Sequence, residues 1–135
     1  MKARSLVLGL VGLVSAVVGC GGGGAGAGSG PAGPTPQVMA EVAELLGAYS
    51  GSNKNPPTKA ADFIRYEAMA SDAVRFIQNG DIVYAWGNAI KPGSTAVLAY
   101  PKDAAEKGGP VLLQDGTVKS MTAAEFATAP KAVKK

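Results

Sequence analysis

The chain has no histidine and a single cysteine among its 135 residues. Without histidine it lacks the side chain that most often serves as general base, metal ligand and pH switch near neutrality. One thiol cannot form an intrachain disulfide, and without histidine no Cys/His zinc site, Ser-His-Asp triad or Cys-His nucleophile pair can be assembled. Positive charge is also sparse where it would matter. The net charge is +3, but Lys2, Arg4, Lys131, Lys134 and Lys135 lie at the two ends. Residues 37–128 carry eight basic against ten acidic side chains, a net of −2. No stripe of Lys/Arg with interleaved aromatics occurs, so no nucleic-acid partner is expected. No Asp-x-Asp-x-Asp-Gly loop is present to take calcium.

What is present begins with an export pattern. Lys2 and Arg4 precede an apolar run over residues 6–18. That run is too short for a bilayer core needing about 20 apolar residues, and it reads as a signal peptide. It ends in Val17-Val18-Gly19-Cys20, which resembles the bacterial lipobox: aliphatic, small or aliphatic, small, then Cys. The resemblance implies cleavage between Gly19 and Cys20, a diacylglyceryl thioether on the Cys20 sulfur, and a further acyl chain such as palmitate on the new amino terminus. Two or more chains hold stably at ~0.8 kcal/mol per buried CH₂. The covalent lipid is the only non-protein group expected. Gly21 stands where an Asp directs inner-membrane retention in Gram-negative lipoproteins, so the resemblance favours the outer membrane, facing the periplasm.

Residues 1–19 are thus expected to be the signal and 20–36 a lipidated cysteine with a Gly/Pro tether. Residues 37–128 form one small domain and 129–135 a frayed basic tail. The tether, GGGGAGAGSGPAGPTP, has no large or charged side chain to bury and spans roughly 20–24 Å if flexible. It is not a phosphate-binding loop, because no strand precedes it and no GK[ST] follows.

Within the domain, Val38, Val42, Leu45, Leu46 and Tyr49 make one apolar stripe of a helix that Pro56-Pro57 must end. Thr58 is expected to cap a second short helix holding Phe63 and Ile64. Residues 71–78 read either as a helix capped by Ser71 or as a strand joined through Asn79-Gly80 to the next. The alanines at 68, 70 and 73 favour the helix. Strands are expected over 82–86, 95–100, 111–114 and 117–121, the last two joined by a two-residue Asp115-Gly116 turn. Thr122 and Glu125 have capping-box form ahead of a final turn with Phe126. The expected class is α+β: helices first, then a four-strand antiparallel meander with a helix across one face.

A long helix ending near Tyr49, the Pro56-Pro57 loop, a short helix and the hairpin Val-Leu-Leu-Gln-Asp-Gly-Thr-Val resemble the globular domain of pilins and pseudopilins over residues 37–121. That resemblance implies the fold and an accessory place in a secretion or envelope assembly. A lipobox and tether stand where pilins carry a prepilin cleavage site, and the histidine often found ahead of the Asp-Gly is missing.

Candidate functional residues follow from type. Tyr84, Trp86 and Tyr100 could form a stacking face for a partner, against the plainer reading that they pack the core. Asp62, Glu67, Asp72 and Asp81 could supply paired carboxylates for hydrolysis, against a role as caps and solvated charges. Asp115 reads as a turn residue. The expectation is a non-catalytic binding or structural module meeting an unidentified envelope partner through the sheet face or the Pro56-Pro57 loop. A carboxylate-based hydrolase is the weakest alternative.

Overall fold

The structure is a computed structural model and describes residues 33–133. Its first element, α1 (Pro36–Ser52), starts where Thr35 Oγ1 accepts from the Val38 N–H at 3.2 Å, with Pro36 in the first turn. That position suits proline, whose missing N–H has no helical partner to lose. The buried side is Val38, Met39, Val42, Leu45 and Leu46. The helix ends at Asn53, whose N–H and side-chain Nδ2 both donate to the Tyr49 carbonyl.

A 3-10 helix (Ala60–Tyr66) follows, with Phe63 fully buried beneath it. Its start corrects the expected Thr58 cap. The Asp62 carboxylate does the capping, accepting from the Thr58 N–H at 2.8 Å, the Thr58 hydroxyl at 3.1 Å and the Lys59 N–H at 3.2 Å. These bonds hold the Asp62 carboxyl below its ordinary pKa.

Residues 71–78 are helical, α2 (Ser71–Gln78). Ser71 is not its cap: the cap position is Ala70, which is buried and makes no side-chain bond. Burial of Ala70 fixes the entry and leaves Ser71 in the first turn. Asn79-Gly80 closes the helix and turns no hairpin. Gly80, at φ 77°, donates to Ile77 C=O, and Asp81 N–H reaches back to Phe76 C=O. This pair of bonds is the Schellman arrangement, for which a left-handed glycine is the usual choice.

The rest is a four-stranded antiparallel sheet in the order β1-β2-β3-β4. The strands are β1 (Ile82–Tyr84), β2 (Val97–Pro101), β3 (Gly109–Leu113) and β4 (Val118–Met121). β1 is shorter than expected because Trp86 N–H turns back to Tyr84 C=O and Gly87 N–H bonds Pro57 C=O. A short helix, α3 (Ala104–Lys107), occupies what reads as a polar loop. The β3–β4 connection is a three-residue loop, longer by one than expected. Gly116 N–H closes a turn onto Leu113 C=O, Gly116 takes φ 93°, and Leu113 N–H bonds Thr117 C=O. A type I turn followed by a left-handed glycine is the regular three-residue hairpin. Asp115 fixes it by accepting from the Thr117 N–H at 2.8 Å. The expected capping box then opens α4 (Ala123–Thr128): Thr122 Oγ1 accepts from Glu125 N–H, and the Glu125 carboxylate accepts from Thr122 N–H.

Strand alternation divides the core between the two sheet faces. Leu112, Leu98, Ile82 and Tyr84 join the α1, 3-10 and α2 residues on one side. Val97, Val111 and Leu113 meet Ala104 and Phe126 on the other, under α3 and α4. No polar or charged residue is buried among the described residues.

The chain beyond α4 is bonded into the sheet, so residues 130–132 are not a frayed tail. Val97 donates to Pro130 C=O and accepts from Ala132 N–H, both at 2.8 Å, as a parallel bridge. The Lys131 ammonium donates to the carbonyls of Phe126 and Ala129 and lies 4.1 Å from the Phe126 ring centroid. A cation at a helix C-terminus meets the carbonyls left without partners there.

Candidate functional site

Gly19 and Cys20, the expected cleavage and lipid-attachment residues, lie outside the described residues. The aromatic candidates do not form one face. Tyr84 is 3 % exposed and its hydroxyl donates to Asn88 C=O. Its ring meets Trp86 edge-on at 4.9 Å and Phe63 at 6.1 Å, and Tyr49 meets Phe63 at 5.6 Å. This burial pushes the Tyr84 phenol far above its ordinary pKa. Trp86 is half-buried at the end of the same cluster. Tyr100 pairs across the sheet with Val83, not with Tyr84. Cross-strand partners share a face, so Tyr100 points to the α4 side and packs on Phe126 at 4.8 Å. Tyr84 and Trp86 are core residues of one face and Tyr100 belongs to the other.

The Pro56-Pro57 loop is also structural in its second residue. Pro57 is buried and its carbonyl anchors the Gly87 turn.

The carboxylates are dispersed. Asp62 caps the 3-10 helix, and Glu67 is exposed just beyond it. Asp72 pairs with Arg75 at 2.8 Å, and Asp81 with Lys102 at 2.5 Å. Asp72 and Asp81 do share a cleft of about 580 Å³ at the start of α1, together with Glu41, Arg75, Phe76 and Asn79. Asp72 and Asp81 are each held by a cation, the arrangement of a solvated ion-pair surface, and Glu41 is in no described ion pair.

Sequence reasoning misses a second cleft, of about 550 Å³, between the 87–91 loop and residues 131–133. Gln114 builds it. Its Nε2 donates to Ala89 C=O at 3.2 Å, its Oε1 accepts from the Ser94 hydroxyl at 2.7 Å, and its main-chain carbonyl accepts from Lys91 N–H. These ties link the hairpin to a loop twenty or more residues earlier, and no local pattern announces them.

Among the described residues, no three His, Cys, Asp or Glu side chains gather to hold a metal, and no helix is long and apolar enough to cross a membrane. No family model matches the sequence, and comparison with characterised proteins and with solved structures gives no match.

Proposed function

We propose that the chain is a lipid-anchored protein of the bacterial envelope. Cys20 carries the lipid, residues 21–36 give reach, and the α+β domain is presented as a non-catalytic binding or structural module. The observation that carries this reading is Val17-Val18-Gly19-Cys20 closing an apolar run that starts at residue 6 behind Lys2 and Arg4. The start of the domain supports it, because Thr35 and Pro36 turn the last residues of the tether into the first cap and turn of α1. The test is the intact mass of the N-terminal peptide from the membrane fraction. A peptide beginning at Cys20 with the diacylglyceryl mass, lost in Cys20→Ser together with membrane retention, is the expected result. An unmodified thiol or an N-terminus elsewhere overturns the proposal. With Gly rather than Asp at position 21, the expected position on a density gradient is the outer-membrane fraction.

A second reading, an accessory subunit of a secretion or envelope assembly, draws support from α1 laid across an antiparallel meander that closes with Asp115-Gly116. Cross-linking in intact cells followed by co-purification with an envelope complex tests it. A carboxylate hydrolase has the least support, because Asp62 stands apart from Asp72 and Asp81, and each has its own partner.

A further inference from the structure

The cleft beside residues 131–133 differs from the cleft at the start of α1 in the charge it offers. Among the described residues its charged lining is Lys91 and Lys131, with no carboxylate. Lys91 is exposed and no described acidic side chain pairs with it. Its position is nonetheless fixed, since its N–H donates to Gln114 C=O at 2.6 Å and Gln114 ties down the rest of the loop. The wall is therefore formed before any ligand arrives, as a binding site requires. The floor is apolar, with Ile90, Ala96, Ala132 and Val133, and Val133 is 71 % exposed.

The main chain adds a directional element. Pro130 C=O and Ala132 N–H both face Val97. Extended backbone alternates sides, so the N–H and C=O of Lys131 face away from β2, and no described main-chain group bonds them. The Lys131 ammonium is engaged on α4, which among the described residues leaves Lys91 as the cleft's cation for a ligand.

We propose that this cleft binds the carboxyl end of a peptide whose last side chain is apolar. The terminal carboxylate meets Lys91, the peptide main chain pairs with the N–H and C=O of Lys131 as an added strand, and the last side chain lies on Ile90 and Val133. Charge complementarity selects the carboxylate, and the outward-facing backbone selects a peptide over other amphiphilic anions. The volume is in the range of small-ligand sites, roughly 300–1,000 Å³.

The test titrates the ¹⁵N-labelled full chain with acetyl-Ala-Ala-Leu, with its C-terminal amide, and with hexanoate. Expected are saturable shifts at residues 87–91 and 131–133, and affinity for the acid up to about fivefold above that for the amide, the size of an exposed ion pair. Lys91→Gln is expected to remove that difference while leaving the spectrum elsewhere unchanged. Equal binding of acid and amide, no saturable shift at the cleft, or a difference that survives Lys91→Gln overturns the proposal. Hexanoate binding as tightly as the peptide acid overturns the assignment to a peptide.

Discussion

Gly108 is where one methyl group tests the packing of the sheet most severely. It ends α3 at φ 69° and ψ −159°, its N–H bonded to Ala104 C=O. A Cβ built there lies 2.3 Å from the Met121 carbonyl oxygen and 2.9 Å from the Ala123 nitrogen, both main chain. The backbone conformation alone costs a side-chain-bearing residue about 1–3 kcal/mol. The clash cannot be relieved by a rotamer change, so the α3–β3 corner must move away from the β4–α4 junction. That movement loosens the Gly109–Met121 pairing and the Thr122 cap, at about 1 kcal/mol for each bond lost. Gly108→Ala is therefore expected to cost about 3–5 kcal/mol, a large share of a domain stability of about 5–15 kcal/mol. At about 4–8 °C per kcal/mol for a domain of this size, Tm falls by at least about 12 °C.

Two other glycines make the measurement specific. Gly116 also has a positive φ, 93°, but a Cβ there meets nothing closer than Ile90 Cδ1 at 3.9 Å. Gly116→Ala carries only the conformational cost, about 1–2 kcal/mol. Gly47 lies within α1 with nothing within 4 Å of a built Cβ, and Gly47→Ala is expected to stabilise by about 0.5–1 kcal/mol. Thermal and urea unfolding of the three variants, followed by circular dichroism, should rank them Gly47, Gly116, Gly108 from most to least stable. A Gly108→Ala protein within 1 kcal/mol of the parent, or a reversal of that order, refutes the reasoning about the α3–β3 corner.

Further predictions concern charge and the chain's end. Burial raises the Tyr84 pKa in the folded protein, while the unfolded phenol ionises near its ordinary value of about 10. Unfolding then releases a proton above about pH 10, so stability falls with rising pH from there and the fall is reduced in Tyr84→Phe; alkaline unfolding curves of the two proteins check this. The capping carboxylates Asp62 and Glu125 are shifted the other way, chiefly by backbone N–H bonds from Thr58 and Thr122. Their contribution is present above the ordinary carboxylate range and lost as pH falls through their lowered values, so Glu125→Gln should flatten the acid limb of stability against pH. Thr122→Ala, which removes the cap hydroxyl, is expected to cost about 1 kcal/mol in urea unfolding. Ending the chain after Ala129 removes both bonds to Val97 and the Lys131 cap. At about 1 kcal/mol per bond it should lose about 2–3 kcal/mol, and amide exchange should speed up at Val97.

Much of the fold was legible because it is written locally. The α1 stripe, the Thr122–Glu125 box and the Asp115-Gly116 hairpin each rest on residues within a few positions of one another. Where two local signals compete, the backbone bonds decide: Asn79-Gly80 suits a hairpin or a helix end, and the bond from Asp81 N–H to Phe76 C=O makes it a helix end. The hydroxyls of Thr58 and Ser71 looked like caps, but Asp62 and the buried Ala70 set those entries. α3 has four residues, too few to show a period. The division of Tyr84 from Tyr100 follows from a register of which neither strand alone gives notice, and the cleft at Lys91 rests on ties from Gln114 across the hairpin. The bridge from Lys131 to Val97 was invisible for the same reason, since its partner lies across the sheet.

The stripe of α1 is covered by α2, β3 and β4, so during synthesis α1 meets its full complement of neighbours only when residues 109–121 have followed. Until then Met39, Val42 and Leu45 lack the cover that β3 and β4 supply, and a smaller partial core offsets less of the entropy of ordering the chain. The core of this domain is consequently complete only late in synthesis, once β3 and β4 are present.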